Sequence, residues 1–471
     1  DPQLSAWRAD RHRPPARRAP AAWRLQGMAP RSSAALLLLA LAPLLLLAPR
    51  AAALDNGAPN SKRPPLGWSS WVALGEGWPG PDAKHPSFDF CDEASVRASV
   101  DAFHDVGLWQ AGYRHFHLDD CWADLERNAT GFLQVERDHF PNGMKPVVDY
   151  AHSKGLTFGL YTCAGTYTCV GKRPGSKDHW DQDAAVFAEW GVDVVKMDWC
   201  NTEGMVPEET YPKMAAALNR TGRRIHFNMC EWGRDDPWKW GPATAQSWRA
   251  TGDHEGTWAS TKSIIEQRTA IPAEHGGGPY AWNDMDMLES GNYKQAAHAN
   301  GKEGNMTGVE YKTEFSMWAI LASPMVVTTP LLNCSTGTCT PSITELQREI
   351  LLNTEVIAIN QDVTPAGRLL GPAGGMKEHG VKVFGRQLSG GMAAVALYNP
   401  EDAAAPGAVD FELLGWPSGA TAAVRDLWAH KDLGVFRGRF PEEGRTLPVP
   451  AHATVVLRLT PSADEGAELL V

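Results

Sequence analysis

Carboxylates stand where short apolar runs end along this chain. Val194-Val195-Lys196-Met197 closes on Asp198, and His115-Phe116-His117-Leu118 closes on Asp119 and Asp120. Other runs lead to Glu231, to Asp253, and to Asp284 with Asp286, while Tyr161 marks the end of a further run. Acids gathered in one mouth repel one another, so such a set needs a purpose. Oxygen ligands around a divalent cation are one. Glycoside chemistry is the other, with two acids cleaving the bond and the rest gripping hydroxyls. Metal sites usually add histidines or a dedicated loop. Here His115 and His117 alternate with Phe116 and Leu118 inside their run, which predicts a place in a core. Cations are at hand instead: Lys196 precedes Asp198 by two residues on the same strand face, and Arg249 precedes Asp253 by four. They would hold neighbouring carboxylates ionised without a metal. Sugar chemistry with no metal and no cofactor is therefore the favoured reading. Nineteen tryptophans suit it, since an indole face stacks on the C–H face of a sugar, though each also serves as core packing.

The elements that must position these groups are legible as alternation. β-rich runs at 65–71, 113–120, 156–162, 192–198, 224–232, 247–253, 280–286 and 323–329 are separated by helix-like stretches. Two of those stretches end at Gly112 and Gly191, as helices commonly do. Such alternation predicts a parallel α/β fold, and a closed (β/α)8 TIM barrel accounts for it most simply. A doubly wound sheet is the alternative, but no phosphate-cradling glycine pattern follows the first strand. In a barrel the carboxylates would all lie at the C-terminal strand ends, where barrel chemistry occurs. Beyond about residue 365, "VKVFGRQLSGGMAAVALYNP", "GAVDFELLGW", "TAAVRDLWAH" and "ATVVLRLTP" read as short strands of an antiparallel β-sandwich. The expected layout is a catalytic barrel over 54–364 and a β domain over 365–471.

The N-terminus reads as processing rather than fold. Residues 1–27 lack apolar periodicity and are expected to be an untranslated or unstructured upstream segment. Met28, Arg31, the run "AALLLLALAPLLLLAP" and the small residues at 51–53 make residues 28–53 a signal peptide, with a mature start near Leu54. The apolar run is short for a spanning helix and Pro43 interrupts it, so no membrane association is expected after cleavage. Sequons at Asn128, Asn219, Asn305 and Asn333, and eight cysteines, fit a secretory route to an extracellular, vacuolar or lysosomal destination. A net charge of −11 argues against a nucleic-acid partner. The expected partner is a saccharide, and a homodimer is left open.

The ordered segments "LGWSSW", "HLDDCWAD", "FPNGMK", "GLYTCAGTYTC", "WGVDVVKMDWC", "NMCEWG", "WRATGD", "WNDMDML" and "VIAINQD" resemble glycoside hydrolase family 27, the α-galactosidases and α-N-acetylgalactosaminidases, from about Asp55 to about Thr460. The resemblance implies a (β/α)8 barrel, a C-terminal antiparallel β domain and hydrolysis of terminal α-galactosides with retention. It implies Asp198 as nucleophile and Asp253 as general acid/base. It implies Trp71, Asp119, Asp120, Tyr161, Lys196, Glu231, Arg249 and Asp286 as sugar contacts, and disulfides Cys91–Cys121 and Cys169–Cys200. Retention needs the two catalytic carboxyls roughly 5 to 5.5 Å apart. Lys196 is expected to keep Asp198 ionised, and the pKa of Asp253 is expected to lie above that of Asp198. The chain departs from the commoner pattern at Thr162-Cys163, and "EWGRDDPWKW" resembles plant and fungal members. Cys163 and Cys230 have no expected partner, whereas Cys334 and Cys339 suggest a local disulfide. Two alternatives share the scaffold, an α-N-acetylgalactosaminidase and a β-L-arabinopyranosidase. A third is an inactive galactose-binding protein. Glu231 at the sugar's 2-position argues against the first, the room beside Asp119-Asp120 against the second, and the intact Asp198/Asp253 pair against the third.

Overall fold

The computed structural model describes residues 53–59, 61–73, 91–170, 173–295, 303–335, 338–371 and 379–462. The expected upstream segment 1–27 and all but the last residue of the expected signal peptide 28–53 lie outside them. Among the described residues, no helix is long and apolar enough to cross a membrane.

Eight short strands follow one another around a ring: β1 (Leu66–Ser69), β2 (His115–Leu118), β3 (Thr157–Cys163), β4 (Val194–Asp198), β5 (His226–Cys230), β6 (Ser247–Arg249), β7 (Trp282–Asp284) and β8 (Met325–Val327). Each is parallel to its sequence neighbour, and β8 returns to pair with β1. The ring closes through Leu288, just beyond β7. Its N–H donates to Val326 O at 2.8 Å, and its carbonyl accepts from Thr328 N at 3.1 Å. All eight expected strands are present, each shorter than its sequence run except β3, which has the same length shifted by one residue. The strand residues that point outward are large and apolar, such as Trp68, Phe116, Phe158, Phe227 and Trp248, and they pack under the surrounding helices. The inward set is polar: His115, His117, Lys196, His226, Asn228, Ser247, Arg249 and Asp284. Barrel interiors are more often filled with branched apolar residues. The paired histidines fit because Gly159 on β3 lacks a side chain, since a Cβ there would lie 2.4 Å from His117 Nδ1.

Helices separate the strands. Asp92 caps Glu93–Asp105, its side chain accepting from Ser95 N. The stretch expected to run unbroken to Gly112 is split: Gly107 takes φ 97° and starts a separate turn, Leu108–Ala111, which Gly112 ends at φ 110°. Trp180–Trp190 stops at Gly191 as expected, with φ 82°. Gly308–Ile320 opens with a reciprocal Thr307/Glu310 capping box.

The C-terminal part forms a six-stranded antiparallel sheet in the order Arg368–Leu369, Lys382–Gln387, Ala393–Tyr398, Thr454–Pro461, Thr421–Asp426, Lys431–Arg437. Two short ribbons, Ala405–Gly407 with Leu447–Val449 and Val409–Asp410 with Arg439–Phe440, complete it around a second apolar core. Within "GAVDFELLGW", Phe411–Leu414 winds into a 3-10 turn instead of a strand, turning Phe411 and Leu414 into that core. This sheet is pinned to the barrel by Arg386. Its buried guanidinium donates to the carbonyls of Ile359 (2.6 Å), Asp362 (2.9 Å) and Thr364 (2.9 Å). His452 adds a second tie, bonded to Glu310 at 2.7 Å and stacked on Trp258 at 4.5 Å.

Candidate active site

Asp198 is the last residue of β4 and is 7% exposed. One carboxyl oxygen accepts from its neighbour Trp199 N at 2.9 Å, the other from Tyr161 Oη at 3.1 Å. Tyr161, on β3, is itself held by Cys169 N, which donates to its oxygen at 3.4 Å. Cys169 is disulfide-bonded to Cys200, and both sulfurs lie within 4.8 Å of the Asp198 carboxylate. The bridge therefore ties the loop after β3 to the loop after β4 beside the Asp198 carboxylate. The second expected disulfide, Cys91–Cys121, joins the start of helix Glu93–Asp105 to the loop after β2.

Lys196 does not pair with Asp198. Its ammonium bridges Asp119 across the ring at 2.9 Å, and His117 Nε2 lies 3.5 Å from the same Asp119 oxygen. Burial would raise the Asp119 carboxyl, but these two neighbours outweigh it and hold it well below the usual range. For Asp198 the balance is reversed. Burial pushes it up to about 6, Lys196 opposes, and the Asp253 charge reinforces the rise. Lys196 is expected to keep Asp198 ionised; its ammonium instead bonds Asp119, and at Asp198 it only opposes the rise that burial causes. Asp120 is pushed up to about 7 by burial, against the opposing charge of Arg173 and a bond from Val170 N at 3.1 Å.

Asp253 lies in the loop four residues past β6, not at the strand tip, and its side chain is 66% exposed. Arg249, buried at the end of β6, fixes it. Its guanidinium donates to Asp253 at 3.0 Å and to Gly252 O at 2.7 Å, and pairs with Asp286 at 2.9 Å. Asp286 sits at φ 79° beyond β7, anchored by bonds from its own N–H to Asp284 (2.9 Å) and from His254 N (2.8 Å). Asp284 itself turns inward to Asn228 at 3.1 Å. Trp71, just past β1, is half-buried, with its N–H donating to Ser69 Oγ.

Glu231 differs from the rest. It is fully buried just beyond β5, and neither carboxyl oxygen has a hydrogen-bond partner among the described residues. Burial pushes it up to about 8, so it is a neutral acid at pH 7. Asp198, Tyr161, Lys196 and Asp119 form one connected group, and Arg249, Asp253 and Asp286 another, with mutual electrostatic influence between Asp198 and Asp253.

Sequence reasoning left out three neighbours. Arg173 acts on Asp120, and no periodicity in its loop points to it. Cys163 and Cys230 stand directly beside Asp198 in the strand register, one on β3 and one on β5. Both are buried free thiols, and Cys163 donates to Cys200 O at 3.2 Å. Cys339 is disulfide-bonded, and its backbone stands opposite that of Cys334 in the register of a hairpin.

Two family descriptions match the chain: alpha galactosidase A over residues 63–362, and the alpha galactosidase C-terminal beta sandwich domain over 378–459. An alpha-galactosidase of Cyamopsis tetragonoloba is 37% identical over 411 residues, covering 86% of this chain and 88% of that one. Among solved structures, alpha-galactosidase I from Mortierella vinacea superposes with a TM-score of 0.73 at 30% identity, covering 88% of this chain and 100% of the other. The Saccharomyces cerevisiae alpha-galactosidase determined with raffinose superposes with a TM-score of 0.68 at 26% identity, covering 85% and 98%.

Proposed function

Because the chain belongs to the α-galactosidase family, glycoside hydrolase family 27, we propose that it is a retaining exo-glycosidase that releases terminal α-D-galactosyl residues from oligosaccharides, polysaccharides or glycoconjugates. The observation that carries this reading is the pairing of environments at the barrel mouth. A buried carboxyl, Asp198, is oriented by two hydrogen bonds, and an exposed one, Asp253, is aimed by a buried arginine. In this scheme ionised Asp198 attacks the anomeric carbon while Asp253 protonates the departing oxygen. Asp253, open to solvent, then takes a proton from the water that attacks the glycosyl-enzyme, and configuration is retained. Tyr161 steadies the Asp198 oxygen that does not attack. Asp119, fixed by Lys196, and Asp120 offer acceptors to the sugar's 4- and 6-hydroxyls. Trp71 offers a face to the ring, and Asp286 acts through Arg249.

Glu231 supports galactose over N-acetylgalactosamine. Its two unpaired oxygens suit a free 2-hydroxyl, and as a neutral acid it can donate as well as accept. Two disulfides fit folding in an oxidising compartment of the secretory pathway. We place the mature enzyme outside the cytosol, in an extracellular, vacuolar or lysosomal setting. The test compares kcat/KM for matched aryl α-galactoside, α-N-acetylgalactosaminide and β-L-arabinopyranoside. The α-galactoside should be preferred, and Glu231→Ser combined with Arg234→Ala should shift the ratio toward the acetamido sugar, Gly233 being left unchanged because a Cβ at its φ of 73° would lie 2.6 Å from Ala250 O. Loss of the hydrogen bond made by this uncharged carboxyl, about 0.5 to 1.5 kcal/mol, should lower galactoside turnover. An unchanged ratio would remove Glu231 as the sensor of the 2-position.

A further inference from the structure

The barrel holds a second cavity at the end opposite the carboxylates. It encloses about 480 Å³, within the span of small-molecule sites, roughly 300 to 1,000 Å³. The first residues of β1 to β5 form its inner wall, and helix Thr354–Asn360 closes one side through Ile357. Chemistry at barrels belongs to the other face, so this cavity is not an extension of the sugar site.

Its lining has a definite sign. Arg63 and Arg114 both contribute, with His115 and His226 deeper in, and no carboxylate lines it among the described residues. That is notable in a protein of net charge −11. Arg114 is held rigidly. Its Nη1 donates to the carbonyls of Trp109 and Tyr113 at 2.6 Å each, and its guanidinium lies over the Trp109 ring at 4.2 Å. Those partners are neutral, so they orient the cation without cancelling its charge. Arg63 is exposed and lines the rim of the cavity. His226 is satisfied on both nitrogens, by Ser61 Oγ at 2.9 Å and Ser247 Oγ at 2.8 Å, and forms an uncharged floor. Pro64, Pro65, Leu66 and Ile357 supply apolar wall beside the two cations.

We infer that this cavity binds a small organic anion, a phosphate or carboxylate carried on an apolar body. Arg63 and Arg114 take the charged end, and the prolines, Leu66 and Ile357 surround the body. A fixed guanidinium with a second, exposed one is an arrangement suited to a forked oxyanion.

The probe is phenyl phosphate, titrated calorimetrically into the full chain. Saturable one-to-one binding is expected, and saturating galactose should not displace it. Arg63→Glu should weaken it by about ten- to a hundredfold, the equivalent of one charge-assisted contact. The same variant should leave aryl α-galactoside turnover unchanged, which also reports that it folds. Arg114→Gln should weaken binding comparably. Absence of binding at millimolar probe overturns the inference. So does displacement by galactose, which would place the probe at the carboxylates, or an affinity indifferent to Arg63→Glu.

Discussion

The ionisation of Asp198 is settled by burial against charge, and burial has the upper hand. A carboxyl raised in the folded state favours folding most below its unfolded pKa and loses that contribution as pH rises through the folded value, here about 6. At pH 7 the charged form is therefore held at a cost. Asp198→Asn should abolish turnover yet raise stability at pH 7, by on the order of 2 kcal/mol. Near pH 4, where the native carboxyl is also neutral, the gain should vanish. Melting temperatures of both proteins at the two pH values decide it: a gain that persists at pH 4 means charge is not its source. The acid limb of kcat/KM should likewise fall as pH drops through about 6, as the nucleophile is protonated. The identities of these residues were legible in the sequence, but their pairings were not. Lys196 and Asp198 share a strand, yet the lysine reaches across to Asp119, because partner choice depends on distances across the ring that spacing along one strand does not contain. Cys163 is visible as a departure from pattern, and only strand register shows that it sits beside Asp198.

Elements were read more securely than contacts. Apolar runs with turn signals located all eight barrel strands, since each must bury an outward face under a helix. Ends were read less well. β6 stops at Arg249, so Asp253 rides a loop, and Gly107 breaks a helix that composition alone would have continued. "FELL" has strand-forming residues but winds into a 3-10 turn to deliver two side chains to the second core. At this scale the Cys169–Cys200 bridge carries a prediction. It spans 31 residues and holds the loop whose backbone N–H positions Tyr161. Selective reduction should remove about 3 to 4 kcal/mol of stability by chain entropy. It should also lower kcat more than it raises KM, because Tyr161 orients the nucleophile. Native, fully active protein with both thiols free by intact-mass analysis would refute this role.

The whole molecule behaves as barrel and sheet locked together through Arg386, which no sequence pattern identified, since a buried arginine in a β run reads as an exposed one. Arg386→Met would leave several barrel carbonyls unpartnered, costing on the order of 3 kcal/mol or more. We expect wild type to melt in a single calorimetric transition and the variant to melt lower, with its C-terminal sheet loosening first. Unchanged melting would show the tie to be dispensable. The ring itself is not uniformly held. Among the described residues β7 and β8 share no strand ladder; the join rests on the Leu288 bridge with side-chain bonds from Met285 N to Ser323 and from Thr328 to Leu288 O, and Asp286, which steadies Arg249 and through it Asp253, lies two residues away. Brief local unfolding at that join would disarm the acid/base while the rest of the barrel stays folded. Warming should then silence the enzyme reversibly some degrees below its melting point, and the amides of Leu288 and Thr328 should exchange with deuterium sooner than those of β3 and β4. If activity and folded structure disappear together, the join is as firm as the rest of the ring. If activity goes first, the working temperature of the enzyme is set by two backbone hydrogen bonds that the apolar packing around Leu288 and Val327 does not secure.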